Sequence, residues 1–203
     1  MRTPLSYTKA LDLLIRHGRE TSWFRHCKAV ADVADAVGAL LEHRIAIDRE
    51  RLRVGALLHD IGRCRTHDPI RHGVEGYRLL IELGHAREAH VCASHVLCGL
   101  SREEAVANGL PDREFLPRTP EEKLVPMIDS VVELDRPTTL DSRIASIMRR
   151  YESNAWFLNR IVTAHNRVRA FHAELERDHG ISLERIAAET LRTPSATGES
   201  PLP

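Results

Sequence analysis

Aromatic residues make up only 4% of the 203-residue sequence, and strict alternation of Val, Ile, Thr and aromatics is missing, which argues against half-buried strands and for helices almost everywhere. Excess charge is also lacking: 29 Lys and Arg balance 29 Asp and Glu. No global field therefore draws the chain to nucleic acid or an anionic membrane, and any affinity for phosphate must be local. Long apolar runs are absent. The longest uncharged stretch, Ala89 to Ser101, falls well short of the roughly 18 residues of a spanning helix, and Met1 to Ala10 has no apolar core of a signal peptide. Cysteine is sparse, and Cys27, Cys64, Cys92 and Cys98 form no CxxC pair. They read as reduced thiols in or near the core of a chain too long to need disulfide staples. These absences predict a soluble, cytoplasmic protein with no membrane partner, and the length suits one domain with a helical appendage.

What is present is helical patterning. Leu11, Leu14 and Ile15 mark a first short helix closed by Gly18, and Val30, Val33, Val37, Leu40 and Leu41 place one stripe of a second helix toward the core, with His26 one turn earlier on that stripe. A third helix starts at the N-cap Asp48 and reaches His59, ending near Gly62. Further helices are expected over Val74–Leu83, Ala86–Val96, Ser101–Asn108 and Glu121–Leu134, and a helical stripe runs from Asp141 to His179. The expected architecture is all-α: a helical bundle over 1–139, an appended helix or helix pair over 140–191, and a disordered Ser/Thr/Pro/Gly-rich tail over 192–203.

Twelve histidines are a high count, and eight of them fall between His26 and His95. His26, the adjacent pair His59 and Asp60, then His72, His95 and Asp129 offer imidazole nitrogen and carboxylate oxygen without thiolate. That set suits a catalytic divalent transition metal (Fe, Mn, Co, Ni or Zn) rather than a structural zinc. Six donors exceed what one four-coordinate ion needs. Two ions about 3.5–4 Å apart, bridged by Asp60, would use them all. Gly55, one turn before His59, is read as permitting close helix approach. His67–Asp68 repeats the pair, but Pro69 assigns it to a loop, where it is either a decoy or a substrate contact. His90, five residues before His95, faces away from it on a helix.

The run Leu57-Leu58-His59-Asp60-Ile61-Gly62-Arg63, with His26 upstream in Arg-His-Cys-Lys-Ala-Val-Ala and Asp129 downstream in Lys-Leu-Val-Pro-Met-Ile-Asp, resembles the HD-domain metal-dependent phosphohydrolases in their HDIG form. His72-Gly-Val-Glu-Gly and Ser94-His95 are similar to the two extra histidines of binuclear members such as the diadenosine tetraphosphate hydrolases. The stretch from Ile15 to Val132 also looks like a group of small uncharacterised HDIG proteins. One departure is Ile128 before Asp129, where the family pattern has Ala. The resemblance implies a helical HD domain, a metal centre on those six residues, and hydrolysis of a small nucleotide-type phosphate.

Two ions held this way would lower the ionisation of water toward neutral pH and favour its in-line attack on phosphorus, with Asp60 and Arg63 the residues expected at the reacting centre. Arg63, Arg71, Lys123 and Arg136 are the candidates for holding phosphate oxygens, since an arginine fork matches two of them. Glu75 either orients a ligand or complements a helix start. Two other functions are carried. One is a di-iron oxygenase, which some HD proteins are. The other is an RNA- or partner-binding module using the C-terminal helices, where Arg143, Arg149, Arg150, Arg160, Arg167 and Arg169 cluster; the same stripe also suits a homodimer contact.

Overall fold

Polar caps start the helices that carry the core. In the computed structural model, which describes residues 4–192, α1 (Tyr7–Gly18) leads into α2 (Ser22–Leu41), where the Thr21 hydroxyl accepts from the Phe24 amide at 3.2 Å. Val30, Val33, Val37 and Leu41 of α2 are fully buried, as their spacing predicts. Leu40 is not: it is 43% exposed, one position off the stripe. Asp48 accepts from the Arg51 amide at 2.9 Å and opens α3 (Arg49–Leu58). His59 caps its end, and a 3-10 turn over Ile61–Cys64 carries the chain away.

Gly62 in that turn has a strict reason to be glycine. A Cβ there would collide with the carbonyl of His72 and the backbone of Gly76, so the turn lies directly on α4 (Arg71–Glu82). Gly55 does not have that role, because a Cβ there would make ordinary contacts of 3.5–3.6 Å with Val91 and Val125. α5 (Ala86–His95) packs against α4 and ends in a 3-10 turn, Val96–Cys98. α6 (Arg102–Ala107) and α7 (Pro120–Asp129) each begin with a capping box, Ser101 with Glu104 and Thr119 with Glu122.

The sequence pattern extends α7 to Leu134, and the structure stops it at Asp129. There the chain turns into a two-residue hairpin, β1 (Val132–Glu133) with β2 (Arg136–Pro137), whose turn places Leu134 at φ 57°. Tertiary contact selects this form, since the Leu134 carbonyl accepts from the His26 ring. The Asp141–His179 stripe resolves into α8 (Leu140–Arg150) and α9 (Ala155–His179), split at Tyr151–Asn154. Gly180 ends α9 in the left-handed conformation, and α10 (Leu183–Arg192) follows.

Residues of α9 and α10 such as Val168, Leu175, Leu183 and Ile186 belong to the same buried cluster as Leu14, Val33 and Ile128, so the fold is all-α around one core. α10 lies on α2 and α9 on α7. The expected tail, apart from Arg192 at the end of α10, lies outside the described residues. Among the described residues no helix is long and apolar enough to cross a membrane.

Candidate metal centre

Five segments deliver the six donors to one buried point. His26 comes from the first turns of α2, His59 and Asp60 from the end of α3, His72 from the first turn of α4, and His95 and Asp129 from the last residues of α5 and α7. His59 is fully buried, and His26, Asp60, His72 and His95 are each at most 7% exposed.

The four imidazoles are held in one tautomer. Nδ1 donates to a backbone carbonyl in every case: His26 to Leu134 at 2.9 Å, His59 to Ala56 at 2.6 Å, His72 to Asp68 at 2.8 Å and His95 to Val91 at 3.3 Å. A carbonyl can only accept, so the proton sits on Nδ1 and a neutral ring presents a bare lone pair at Nε2. Those lone pairs converge. His72 Nε2 lies 3.0 Å from Asp60 Oδ1 and 3.1 Å from His95 Nε2, and His95 Nε2 lies 3.4 Å from the same carboxylate oxygen. On the other side His26 Nε2 is 2.9 Å from Asp129 Oδ1, and His59 Nε2 is 3.9 Å from Asp60 Oδ2 and 4.0 Å from Asp129 Oδ1.

Acceptors facing acceptors at these distances repel unless a cation lies between them. Ligand atoms sharing one ion at about 2.1 Å stand about 3.0 Å apart across an octahedral edge and about 3.4 Å across a tetrahedral one, which is the spacing of Asp60, His72 and His95. His59 Nε2 and Asp129 Oδ1 are buried with no hydrogen-bond partner, an expensive arrangement for polar atoms without a ligand. Two groups can each hold an ion, His26 with His59 and Asp60, and Asp60 with His72 and His95. The residues therefore fit a metal centre, and Asp60 is common to both groups.

The electrostatics agree. Burial lowers the His59 imidazole to about 4, partly opposed by Asp60, so the ring is a neutral donor at ordinary pH. Burial also lowers His72. Burial alone would raise the Asp60 carboxyl, but the Arg63 guanidinium beside it outweighs burial and holds Asp60 well below the usual range. Asp129 is likewise held below the usual carboxylate range, against its burial, by the groups packed around it, His26 and Arg143.

Two cavities open from the centre. One, about 760 Å³, is lined by His26 and Asp60 with Arg63, Arg143, Arg150, His67, Trp23 and Tyr151 among others. Arg63 Nε is bonded to Asp60 Oδ2. Arg71, Lys123 and Arg136 are not among the lining residues of this cavity: all three are exposed, and Lys123 lies over the Phe171 ring at 5.8 Å. Glu75 pairs with Arg78 at 2.7 Å and with Arg65 at 3.4 Å. His90 is away from the centre, stacked on Phe115.

Arg143 and Arg150, which the sequence offers only as part of a basic C-terminal cluster for RNA or a partner, line the cavity at the centre instead. Both stand on α8, seven residues and hence about two turns apart, and the signal was present in the i, i+7 spacing. Arg143 is 14% exposed, its Nε is buried without a partner, and its terminal nitrogens reach Asp129 and Glu133 only at 3.7 Å. Sequence reasoning missed Trp23 and Tyr151, although Trp23 stands three residues, about one helical turn, before His26.

The HD domain family model matches residues 23–154. An uncharacterised protein of Methanocaldococcus jannaschii is 34% identical over 166 residues, covering 81% of this chain and 97% of its own length. A tRNA (cytidine(56)-2'-O)-methyltransferase of Picrophilus torridus is 32% identical over 186 residues, 91% of this chain and 48% of the enzyme. The Thermoplasma volcanium protein of the same name is 31% identical over 141 residues, 69% of this chain and 40% of its own length. This chain thus spans at most about half of those two methyltransferases. No solved structure matches. With the family model covering well over half the sequence and the His, His-Asp, His, His, Asp set in place, the chain belongs to the HD domain family.

Proposed function

We propose that this protein is a metal-dependent phosphohydrolase acting on a small organic phosphate of nucleotide type, with two divalent ions held by His26, His59, Asp60, His72, His95 and Asp129. The observation that carries the reading is the convergence of four bare Nε2 atoms on two carboxylates beside a guanidinium, Arg143, with donors to spare. Divalent ions bound there would bring the ionisation of water toward neutral pH and polarise a phosphoryl oxygen.

The protein's own groups supply the rest. The Nδ1 bonds to carbonyls fix each ring so that no reorganisation is needed when charge develops. Arg63 anchors Asp60 through Nε, which leaves its terminal nitrogens to the cavity. Arg143 and Arg150 face it from α8, with Glu133 only loosely between them at 3.7 Å from each. A phosphate offers these guanidiniums closer partners than Glu133 does. Trp23 and Tyr151 give the organic part of the substrate an aromatic wall.

The test is a panel of nucleotides and dinucleotides assayed with Mn, Fe, Co and Ni. Release of phosphate or nucleoside phosphate is expected, and silence across all metals and substrates overturns the reading. Substrate-dependent oxygen uptake by the iron form would move the protein to the oxygenases instead. Arg143→Met should lower kcat/KM roughly 10- to 100-fold, the loss of a charge-assisted hydrogen bond of about 1.5–3 kcal/mol. A second reading puts the phosphate on RNA, because two relatives are named as tRNA methyltransferases. RNA fragments with terminal phosphates belong in the same panel, and their preferential cleavage would select it.

A further inference from the structure

The second cavity at the centre, about 490 Å³ including its open mouth, has a different chemistry. It is lined by His95, Asp129 and Arg143 of the centre and by apolar side chains that include Leu97, Ile144, Ile147, Ile161, Ala164 and Val168. We propose that this annex binds a compact aliphatic group of the substrate while the attached phosphate is held at the metal centre. The proposal rests on the phosphate part of the reading above and adds a second substituent on that phosphate, an aliphatic one, opposite the group that Trp23 and Tyr151 would face.

Three observations support it. First, α8 has an apolar face that the core covers only in part: Ile147 packs against the core, yet Ile144 and Ile147 both stay half-buried where they border the annex. Apolar surface kept beside a functional centre is recovered when a ligand covers it. Secondly, the other polar side chains of the lining, Ser130 and His165, are already engaged. Ser130 Oγ donates to the Met127 carbonyl at 2.5 Å, and His165 sits with Arg169 at 3.0 Å and Asp141 at 3.7 Å. A nucleobase would bury its hydrogen-bonding edge against walls that offer no partner, whereas an alkyl group needs none.

Thirdly, the wall beside His95 is built at a backbone cost. Leu97 and Cys98 both adopt left-handed φ, 51° and 54°, and Arg167 from α9 clamps the Cys98 carbonyl at 2.8 Å. Successive non-glycine residues in that region persist only where the surroundings hold them, and here they set Leu97 against the annex. Arg143 lines both cavities, so a phosphate bound to it has one charged exit and one aliphatic exit.

The test measures binding of alkylphosphonates from methyl to hexyl to the metal-loaded full-length protein by calorimetry, with inorganic phosphate as reference. Affinity should rise about fourfold per methylene, the transfer free energy of a buried CH₂, until the annex is full. In Ala164→Phe, which fills it, the hexyl-to-methyl affinity ratio should fall to within about twofold of unity. Val168→Ala, a milder change, should move the plateau to a longer chain and keeps the test usable if Ala164→Phe fails to fold. Binding of methylphosphonate with no gain along the series, or a gain that survives Ala164→Phe, overturns the annex alone. If neither phosphate nor methylphosphonate binds, the phosphate reading falls and the annex with it.

Discussion

Helices α3 and α7 lie side by side in the same direction, and each end of the pair carries a buried polar cluster. At their N-termini the charges close on one another. Glu121 Oε1 accepts from the Asp48 amide at 2.8 Å, Glu122 Oε1 accepts from Arg51 Nη2 at 2.8 Å, and Glu122 Oε2 accepts from the amides of Arg118 and Thr119 at 2.9 and 3.3 Å. Glu121 Oε2 lacks a hydrogen bond but faces Arg51 Nη1 at 3.6 Å. These acids sit where the helix dipole favours negative charge. At the C-termini the arrangement is reversed. Asp60 and Asp129 sit near the negative ends of the same helices, and the atoms opposite them are imidazole lone pairs. The difference separates a cluster that holds structure from one suited to a cation: in the first each acid faces an amide or a guanidinium, and the second aims acceptors at a common point.

Exchanging one acid in each cluster should break the comparison most sharply. Asp60→Asn removes the carboxylate common to both ion groups, so bound metal by elemental analysis should fall to near zero. Turnover should fall with it by on the order of 10³-fold or more, since the ions supply several kcal/mol of transition-state stabilisation. A variant that keeps two ions would show that Asp60 does not bridge. Metal removal from the native protein is the milder version. At an ion concentration 100 times Kd, binding stabilises the fold by about 2.7 kcal/mol, so chelation should lower Tm by roughly 5–10 °C for a chain of this size.

Glu122→Gln is the counterpart at the other end. It weakens the Arg51 contact and the bonds that start α7. Stability should fall by about 1–3 kcal/mol, toward the lower figure because Arg51 is 26% exposed. Metal content should be unchanged. Loss of metal in this variant would mean that the two ends are coupled through α7 rather than independent.

The ligand end was legible in sequence and the walls around it were not, for a physical reason. His26 could be placed because a buried α2 stripe fixes its direction, and His59 and Asp60 because a helix end and Gly62 fix theirs. Each depends on local periodicity. Arg143 and Arg150 depend on where α8 lies relative to α2 and α3, which no local pattern states. The helix predicted to run to Leu134 failed similarly: its last residues have helical periodicity, and a bond from His26, 108 residues away, holds them in a hairpin instead. The appendage expected over 140–191 as one helix or a pair is three helices, because α10 forms a separate turn of the chain that buries Ile181, Leu183 and Ile186 in the shared core.

The smallest expected effect tests the comparison within a single helix. His90 and His95 both stand on α5, five residues apart, and so point about 140° away from each other. His95 Nε2 faces Asp60 and His72, whereas the His90 ring stacks on Phe115 at 5.6 Å and Nε2 donates to the Leu116 carbonyl at 3.1 Å, 3.7 Å from Glu122. His90 therefore belongs to the self-satisfied cluster. His90→Ala should cost about 1 kcal/mol, one hydrogen bond and part of a ring contact, with metal affinity by calorimetry within about twofold of native. His95→Ala, on the same helix, should lose the ion shared by Asp60 and His72 while the His26 and His59 side keeps its own. Equal metal loss in both variants would mean that α5 acts on the centre through its packing, and the separation between closed and open clusters would not hold.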